Sequence, residues 1–277
     1  MARTSRLKIT GDITYYHIIS HTVWEAHLPF TDYDKEVFIR LLKELSRAYL
    51  VEVISYAIMS NHFHLLIKSI PAAFFSDGEI LERAEKIFSP VALKARKISY
   101  WREKLGDISS FVKDLKGRFA QWYNRRYNRN GHLWADRFKS ILIEDGRAAI
   151  AVSAYIDLNP VRAGLSKTIS GYKFISYTAR ISGEKWLSPI EEISGGMDLK
   201  QYRLLLESAG SVEMEGKASV RKHENFPDQL RTIFTYRVKG LVFGSRFFVE
   251  NILYRISSGL YKPRRKPTKI GTDLYMA

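Results

Sequence analysis

The sequence predicts an α+β fold, in which one antiparallel sheet carries helices packed against it. The first observation is that segments rich in β-branched and aromatic residues alternate with segments whose apolar residues recur at helical spacing. The second is their order along the chain, which runs strand, helix, strand, strand, helix, strand. The third is a short polar link between the two middle strands, which is typical of a hairpin.

The boundaries of these elements follow from caps, turns and prolines. Thr31 is suited to be a helix N-cap, and Asp34 three residues later forms a weak capping box with it. Residues 60–61 link the two middle strands, and Asn159-Pro160 ends the last helix because the residue before a proline disfavours helical geometry. The predicted elements are a strand over 13–21, a helix over 34–49, strands over 51–59 and 62–69, a helix over 109–127, a strand over 138–144 and a helix over 146–158.

Two further segments extend this pattern. Residues 71–108 are predicted to be an insertion with helices over 79–87 and 91–105, interrupted by a proline. Residues 181–277 are predicted to be a basic, mainly helical extension that ends in a flexible tail rich in lysine, arginine and proline. We therefore expect one domain over residues 1–180, with the insertion inside it, followed by the extension.

The composition favours a polyanionic partner. The chain has 277 residues, with 44 lysines and arginines against 29 acidic residues, a net charge of +15 and no cysteine. Such an excess of positive charge attracts nucleic acid, and the lack of cysteine excludes disulfides and thiolate zinc sites. The basic N-terminus has no apolar run behind it, so we expect no signal peptide. No stretch approaches the roughly 20 apolar residues of a membrane helix. We therefore expect no membrane partner and a cytoplasmic, nucleoid-associated protein.

The clearest chemical signal is His62-Phe63-His64 at the start of a predicted strand. Residues two apart on a strand face the same side, so His62 and His64 point together while Phe63 points into the apolar layer. Two imidazoles on one strand face can hold a divalent cation between them. Taken alone, paired histidines on a strand are more often ordinary hydrogen-bonded residues.

A second signal is the pair Tyr155 and Asn159, which are four residues apart and therefore share a helix face. A phenol and a carboxamide on one polar face could serve as a nucleophile and a metal ligand. The alternative is a core aromatic residue beside a helix C-terminus that is fixed by Pro160. Without the other signals, that alternative would be preferred.

A third signal is the stretch from 115 to 139, where basic and aromatic residues are interleaved. Basic side chains can follow a phosphate backbone, and aromatic rings can stack on unpaired bases. We interpret the basic residues as DNA-binding, although a solvated helix face is the alternative. The candidate DNA-binding residues are Lys116, Arg118, Arg125, Arg126, Arg129, Arg137 and Lys139.

These segments together resemble a known family, the single-tyrosine HUH transposases, and within it the REP-associated tyrosine transposases related to small insertion-sequence transposases. The resemblance covers roughly residues 10–180 and depends on the order and spacing of four motifs. The motifs are His62-Phe63-His64, Tyr123-Asn124-Arg125-Arg126-Tyr127, Gly131-His132-Leu133-Trp134 with Arg137-Phe138-Lys139, and Tyr155-Ile156-Asp157-Leu158-Asn159-Pro160-Val161-Arg162-Ala163-Gly164.

The resemblance implies a palm-like antiparallel sheet of the ferredoxin or RRM type and a metal-dependent tyrosine nuclease. It implies that His62 and His64 bind Mg²⁺ or Mn²⁺ and that Tyr155 is the nucleophile. The third ligand of the insertion-sequence relatives is a glutamine one helical turn after the tyrosine, and here that position is Asn159. The implied reaction is cleavage and joining of single-stranded DNA beside a hairpin of a repeat palindrome, through a 5′-phosphotyrosine intermediate.

Several alternatives stay open at this point. Tyr123 or Tyr127 could be the nucleophile, since both lie on a helix rich in cations. His17 is interpreted as a sheet residue and His132 as a turn residue near the DNA. The protein could instead be a non-catalytic, domesticated DNA-hairpin-binding protein, or a metal-dependent phosphohydrolase acting on a small substrate. Either a monomer or a homodimer is compatible with the sequence.

Overall fold

The structure, a computed structural model, describes residues 7–9, 11–23, 29–214, 240–257, 266–270 and 273–277. It has the predicted α+β architecture. Within the described residues, no helix is both long and apolar enough to span a lipid bilayer.

Four antiparallel strands form the main part of the sheet. The central strand β1 (Thr14–His21) pairs with β3 (His62–Ser69) on one side and with β4 (Lys139–Ile143) on the other. The strand β2 (Val51–Ile58) pairs with β3. The predicted hairpin between β2 and β3 is confirmed, since the backbone N–H of residue 59 donates to the carbonyl oxygen of residue 62 at 2.8 Å.

Two helices cover the face of the sheet to which Phe63 points. They are α1 (Asp32–Ala48) and α5 (Ile108–Arg126). The ring of Phe38 in α1 lies 4.8 Å from that of Phe63 and 5.1 Å from that of Phe119 in α5, measured between centroids. All three rings are fully buried, so this layer is the main hydrophobic core.

The start of α1 confirms the predicted capping box. The side-chain oxygen of Thr31 accepts a hydrogen bond from the backbone N–H of Asp34 at 3.3 Å, and the Asp34 carboxylate accepts one from the backbone N–H of Thr31 at 2.8 Å. These two bonds satisfy backbone donors that the first helical turn leaves without partners. The capping box therefore fixes where α1 begins, and with it which residues of the helix face the core.

The opposite face of the sheet carries α6 (Arg147–Asp157). A hydrogen bond of 2.9 Å joins Ser153 of this helix to Ser55 of β2, and both side chains are fully buried. The helix ends before Pro160, as predicted, but a short helix α7 (Asn159–Arg162) begins directly afterwards. Proline is compatible with this place because the first helical residues need no backbone donor.

The predicted insertion is helical, but one of its helices is divided. The segment predicted as a helix over 79–87 is α2 (Asp77–Glu85). The single helix predicted over 91–105 is wrong, because the structure has α3 (Pro90–Lys94) and α4 (Ile98–Gly106) there. The chain becomes extended at Lys97, with φ −72° and ψ 157°, and this interrupts the helical hydrogen bonds.

The C-terminal part contributes both helices and strands. Its helices are α8 (Ser176–Ile181), α9 (Ile190–Ser194), α10 (Leu199–Met214) and α11 (Arg246–Ser257), and its strands are β5 (Val242–Gly244), β6 (Thr268–Lys269) and β7 (Tyr275–Met276). The strand order is β2-β3-β1-β4-β5-β7-β6, and only the β4–β5 pair is parallel among the described strands.

These short strands were not predicted. The sequence predicts a flexible tail at its basic end, whereas β6 pairs with β7 and thereby joins the sheet. The basic residues 262–265 and the segment 215–239 lie outside the described residues. The domain boundary after residue 180 stays a prediction.

Candidate active site

The site begins with the register of β1 and β3. His64 pairs with Ile19 and His62 pairs with His21, and paired residues of neighbouring strands lie on the same face of a sheet. Strand alternation places His17 on this face as well, two residues before Ile19. Four histidines from two adjacent strands therefore project from the face that α6 covers.

The four imidazole rings form one contiguous cluster. The ring centroids of His62 and His64 are 5.1 Å apart. His17 stacks against His64 at 5.2 Å, and His21 stacks against His62 at 4.8 Å. His17 and His64 are buried, while His21 is exposed, so the cluster extends from the interior to the surface.

Each histidine of β3 has a polar partner at its Nδ1 atom. The His62 Nδ1 atom lies 2.7 Å from the side-chain oxygen of Asn61, and the His64 Nδ1 atom lies 2.9 Å from Nε2 of His17. A nitrogen in such a contact is held in place and defines the direction of the other ring nitrogen. The Nε2 atoms of His62 and His64 therefore remain as the candidate ligand atoms.

Burial keeps these imidazoles neutral. It lowers the pKa of His17 to about 3. Burial, together with the neighbouring His21, lowers the pKa of His62 to about 4. Burial, with smaller contributions from the neighbouring histidines and from Arg162, also holds the pKa of His64 well below its usual value. Neutral imidazole is the form that binds a metal ion, so the pair is in the required state at neutral pH.

Tyr155 meets this cluster from α6. Its ring centroid lies 5.9 Å from that of His64 and 6.0 Å from that of His17, with the ring edges facing each other. The side chain is partly exposed. The phenol thus lies beside the histidine pair and can still be reached by a substrate.

A cation lies directly over the same phenol. The Arg162 guanidinium carbon, from α7, is 4.8 Å from the ring centroid of Tyr155. A cation over an aromatic face is attracted by the ring quadrupole, and it stabilises negative charge that develops on the oxygen. The short helix that was not predicted therefore brings a charged group to the site.

The side chain of Asn159, the predicted third metal ligand, makes a hydrogen bond to the backbone of α6. Its side-chain nitrogen donates a hydrogen bond of 2.9 Å to the backbone oxygen of Tyr155. This bond satisfies one of the carbonyl groups that the end of α6 leaves without an intrahelical partner. Only the side-chain oxygen of Asn159 is left as a possible third ligand atom.

The donor set suits a loosely bound divalent cation. Among the described residues, no group of three or more histidine, cysteine or acidic side chains is arranged to hold a metal ion. The candidate ligands are two imidazoles and one amide oxygen, so water or substrate oxygens would have to complete the coordination of an ion held there. Such a set is compatible with an exchangeable ion that also contacts a phosphate.

Several of the predicted DNA-binding residues are engaged within the protein. Lys116 donates to the carbonyl oxygen of Asp136 at 2.9 Å, and Arg118 contacts the Glu44 carboxylate at 3.0 Å. Both belong to α5, which lies on the face of the sheet opposite to the histidines. These contacts assign the two side chains a structural role, whether or not they also bind DNA.

The end of α5 and the following loop carry the other candidates. Arg125 and Arg126 are both exposed, and Arg126 also lies 3.7 Å from the buried carboxylate of Asp34. Arg129 is half-buried, and its guanidinium lies 5.8 Å from the ring centroid of Tyr123.

The last two candidates lie nearest the histidines. Lys139 pairs with Ile19, which pairs with His64, so Lys139 lies two strands away from that histidine on the same face. Adjacent strands are about 4.8 Å apart, which puts the two Cα atoms roughly 10 Å from each other. Lys139 and the neighbouring Arg137 are exposed. Lys139 is therefore an exposed cation on the histidine face, and Arg137 lies two residues before it in the chain.

The alternative nucleophiles do not fit the structure. Tyr123 is buried in the core on the α5 side of the sheet, where its ring contacts that of Phe30. The Tyr127 hydroxyl donates to the carboxylate of Asp34 at 2.9 Å. Neither of these tyrosines shares the histidine face.

The sequence reasoning missed three residues of the site. His17 is a sheet residue, as predicted, but its contacts with His64 and Tyr155 were not foreseen. His21 and Arg162 were not singled out at all. The spacing of His17 and His21, which puts both on one strand face, was a usable signal. His132, predicted to lie in a turn near the DNA, is exposed in the loop before β4.

Known proteins offer a comparison for this arrangement. The model of the family described as "Transposase IS200 like" matches residues 12–78 and 103–159. The unmatched residues between these blocks fall within the predicted insertion. No curated protein sequence matches the chain.

Two solved structures match the chain at low sequence identity. One is a REP-associated tyrosine transposase bound to a REP hairpin, at 14% identity over 71% of this chain and 98% of the other, with a TM-score of 0.47. The second is a protein assigned as a transposase in Deinococcus radiodurans R1, at 15% identity over 66% and 98%, with a TM-score of 0.29. Because both scores are below 0.5, these overlays carry no argument about the chemistry of this chain.

The family match begins before β1 and ends after α6, so it includes all four histidines, the four main strands and Tyr155. The two segments 12–78 and 103–159 are therefore the part of this chain that is similar to the IS200-like transposase family.

Proposed function

We propose that the protein is a single-strand DNA endonuclease and strand transferase that cleaves beside DNA hairpins through a 5′-phosphotyrosine intermediate. Tyr155 is the nucleophile, and His62 and His64 hold a divalent metal ion. The observation that carries this proposal is the contact between the Tyr155 ring and His64, at 5.9 Å between centroids, in segments that match the IS200-like transposase family. A phosphodiester placed at this contact can touch both groups.

The chemistry of cleavage is a displacement at phosphorus. The Tyr155 hydroxyl oxygen attacks and forms a new O–P bond, while its proton passes to solvent. The bond from phosphorus to the 3′ oxygen breaks, and this oxygen takes a proton to become a free 3′-hydroxyl. Attack by a 3′-hydroxyl on the phosphotyrosine reverses these changes and joins two strands. Strand transfer therefore needs no external energy source.

The residues around the phenol support this reaction. A free tyrosine has a pKa near 10, so little phenolate is present at neutral pH. The Arg162 guanidinium over the ring favours the anionic oxygen. His62 and His64 would hold Mg²⁺ or Mn²⁺, with Asn159 contributing only through its side-chain oxygen. When bound, the ion supplies polarisation of a phosphoryl oxygen and neutralises charge that develops on the phosphate.

The substrate in this proposal is single-stranded DNA next to a folded repeat palindrome. The net charge of +15 and the exposed Arg137 and Lys139 beside the histidine face support a polyanionic partner. The hairpin is proposed from the resemblance of the sequence motifs to REP-associated tyrosine transposases, one of which is bound to a REP hairpin in a solved structure. The second candidate is a non-catalytic hairpin-binding protein, which would not need the contact of Tyr155 with His64.

The covalent adduct distinguishes the two functions. Purified protein is incubated with labelled hairpin DNA that carries single-stranded flanks, in the presence of Mn²⁺, and analysed on a denaturing gel. We expect an adduct with the wild-type protein and none with Tyr155→Phe, which should still bind the hairpin. Tyr254→Phe, at an exposed tyrosine remote from the histidines, is the matched control and should form the adduct. An adduct with Tyr155→Phe, or none with the wild type, contradicts the proposal.

A further inference from the structure

The two histidines of β3 each use Nδ1 for a contact with another side chain. For His62 the partner is the side-chain oxygen of Asn61 at 2.7 Å, and for His64 it is Nε2 of His17 at 2.9 Å. A carboxamide oxygen can only accept, so His62 carries its proton on Nδ1 and keeps a lone pair on Nε2. His64 can have the same arrangement only if Nε2 of His17 is the acceptor.

We infer that His17 is a positioning residue, which selects the tautomer of His64 that can bind a metal ion. In this tautomer His64 donates from Nδ1–H to Nε2 of His17, and its own Nε2 lone pair faces the cation. In the other tautomer the proton lies on Nε2 of His64 and blocks the ligand position. The inference deepens the proposed function and rests on the assignment of His62 and His64 as the metal pair.

The burial of the contact makes His17 hard to replace. His17 is fully buried and His64 is 4% exposed, so solvent water cannot take over as the acceptor. A buried donor that loses its partner is strongly disfavoured. Removal of the His17 nitrogen therefore pushes His64 towards another tautomer or another ring orientation. Loss of such an outer partner typically weakens metal binding about 10- to 100-fold.

His17 also connects the metal pair to the nucleophile. Its ring lies 5.2 Å from that of His64 and 6.0 Å from that of Tyr155, between centroids. One side chain of β1 thus contacts both groups that the reaction requires. The orientation of His64 and the approach of the phenol are set by the same buried residue.

The first test needs no metal ion. In the wild-type protein labelled with ¹⁵N-histidine, long-range ¹H–¹⁵N correlation spectra report which ring nitrogen of His64 carries the proton. We expect the Nδ1–H form in the wild type and its loss in His17→Phe. The Nε2–H form in the wild type would overturn the inference. Because no cation is present, this result does not depend on the proposed function.

The second test measures Mn²⁺ binding by calorimetry, in the absence of DNA. We expect the dissociation constant to rise about 10- to 100-fold in His17→Phe. It should return to within about threefold of the wild type in His17→Gln, whose amide oxygen can lie near the position of the imidazole Nε2 and accept the same bond. His17→Phe that binds Mn²⁺ as tightly as the wild type would contradict the inference.

Two controls distinguish a failure of the proposed function from a failure of the inference about His17. A wild-type protein that binds no Mn²⁺ would contradict the proposed function, and the tautomer spectrum would still decide the role of His17. If His17→Phe does not fold, Asn61→Ala applies the same reasoning to His62 at a half-buried position, with the same expected loss of affinity. Unchanged Mn²⁺ binding in Asn61→Ala, or a dissociation constant more than about 10-fold above the wild type in His17→Gln, would overturn the inference of positioning residues around the metal pair.

Discussion

The guanidinium of Arg162 lies over the phenol of Tyr155, at 4.8 Å from the ring centroid, and this contact predicts a catalytic effect. Arg162→Gln should lower the single-turnover rate of cleavage about 10- to 100-fold, because negative charge on the attacking oxygen loses its nearby cation. The loss should be greatest at low pH, where less phenolate is present. Rates measured across a pH series with pre-bound hairpin DNA test this prediction.

Arg147→Gln is the matched control for this measurement. Arg147 lies at the other end of α6, and its side chain is 54% exposed in a surface contact with Asp273. Its replacement should leave the cleavage rate within about twofold of the wild type, because surface ion pairs contribute little. Equal losses in the two variants would contradict a specific role for Arg162.

The buried imidazole of His17 predicts that the metal-free protein loses stability in acid. Burial lowers its pKa from 6.5 to about 3, so the folded protein does not take up a proton there between these values. The unfolded chain does, and therefore binds more protons below pH 6.5. Stability falls as the pH falls, by about 2 kcal/mol for this one group between pH 7 and pH 5.

Urea unfolding in the presence of a chelator measures this dependence. His17→Phe should remove part of the slope between pH 7 and pH 5, because one titrating group is lost. Val91→Ala, at an exposed side chain without an ionisable group, should leave the slope unchanged. A wild-type stability that is constant over this range would contradict the buried neutral state of the histidines.

At the scale of the elements, Asp157 joins the helix of the nucleophile to the C-terminal part of the chain. Its buried carboxylate accepts hydrogen bonds from the Ser176 hydroxyl at 2.6 Å, the Tyr177 backbone N–H at 3.0 Å and the Tyr202 hydroxyl at 2.8 Å. These donors belong to α8 and α10. The end of α6, where Tyr155 lies, is thus held by two elements at once.

Truncation of the Asp157 side chain should strongly destabilise the folded protein. Asp157→Ala leaves three buried donors without an acceptor, and each costs about 1–3 kcal/mol, so the free energy of unfolding should fall by at least about 3 kcal/mol. Asp273→Ala, at a 68% exposed carboxylate, should change it by less than about 0.5 kcal/mol. Urea denaturation of both variants measures the difference. A change below about 1 kcal/mol for Asp157→Ala would contradict the role of this carboxylate.

The elements also differ in how far the sequence predicts them. β3 is predicted over its full range, and α5 and α6 to within one residue at each end, because strong periodicity and clear caps define them locally. β5, β6 and β7 have two or three residues each, which is too short for any periodicity. β5 forms on the edge of β4, and β7 on the edge of β5, and the sequence does not specify such long-range pairing locally.

The residues of the candidate site also divide into those that local sequence predicts and those that only tertiary contacts bring together. The shared direction of His62 and His64 follows from alternation within one strand, so it was predictable. The contact of His17 with His64 depends on the pairing of β1 with β3, which are separated by a helix and a strand. The place of Arg162 over Tyr155 depends on a turn that restarts a helix at a proline. Both contacts are tertiary, and a single sequence does not reveal them.

At the scale of the whole molecule, the net charge of +15 predicts strongly salt-dependent binding to DNA. For single strands, the logarithm of affinity falls with the logarithm of salt concentration with a slope of about −0.7 per phosphate contact. Arg137→Ala and Lys139→Ala should each reduce this slope by about 0.7, since both side chains lie near the histidine face and are exposed. Fluorescence anisotropy over a salt series measures the slope.

Lys113→Ala is the control for these variants. Lys113 is an exposed residue of α5, the helix that packs on the opposite face of the sheet. Its replacement should leave the slope close to that of the wild type. Equal effects of all three variants would indicate general attraction to the charged surface and no defined path for the strand.

The site of the covalent bond tests the central claim most directly. Wild-type protein is trapped with Mn²⁺ and a hairpin DNA, digested with protease and nuclease, and the modified peptide is identified by mass spectrometry. The account predicts a nucleotide attached through its 5′ phosphate to Tyr155, and a free 3′-hydroxyl on the released strand. A nucleotide attached to any other residue, or attachment through a 3′ phosphate, would contradict it.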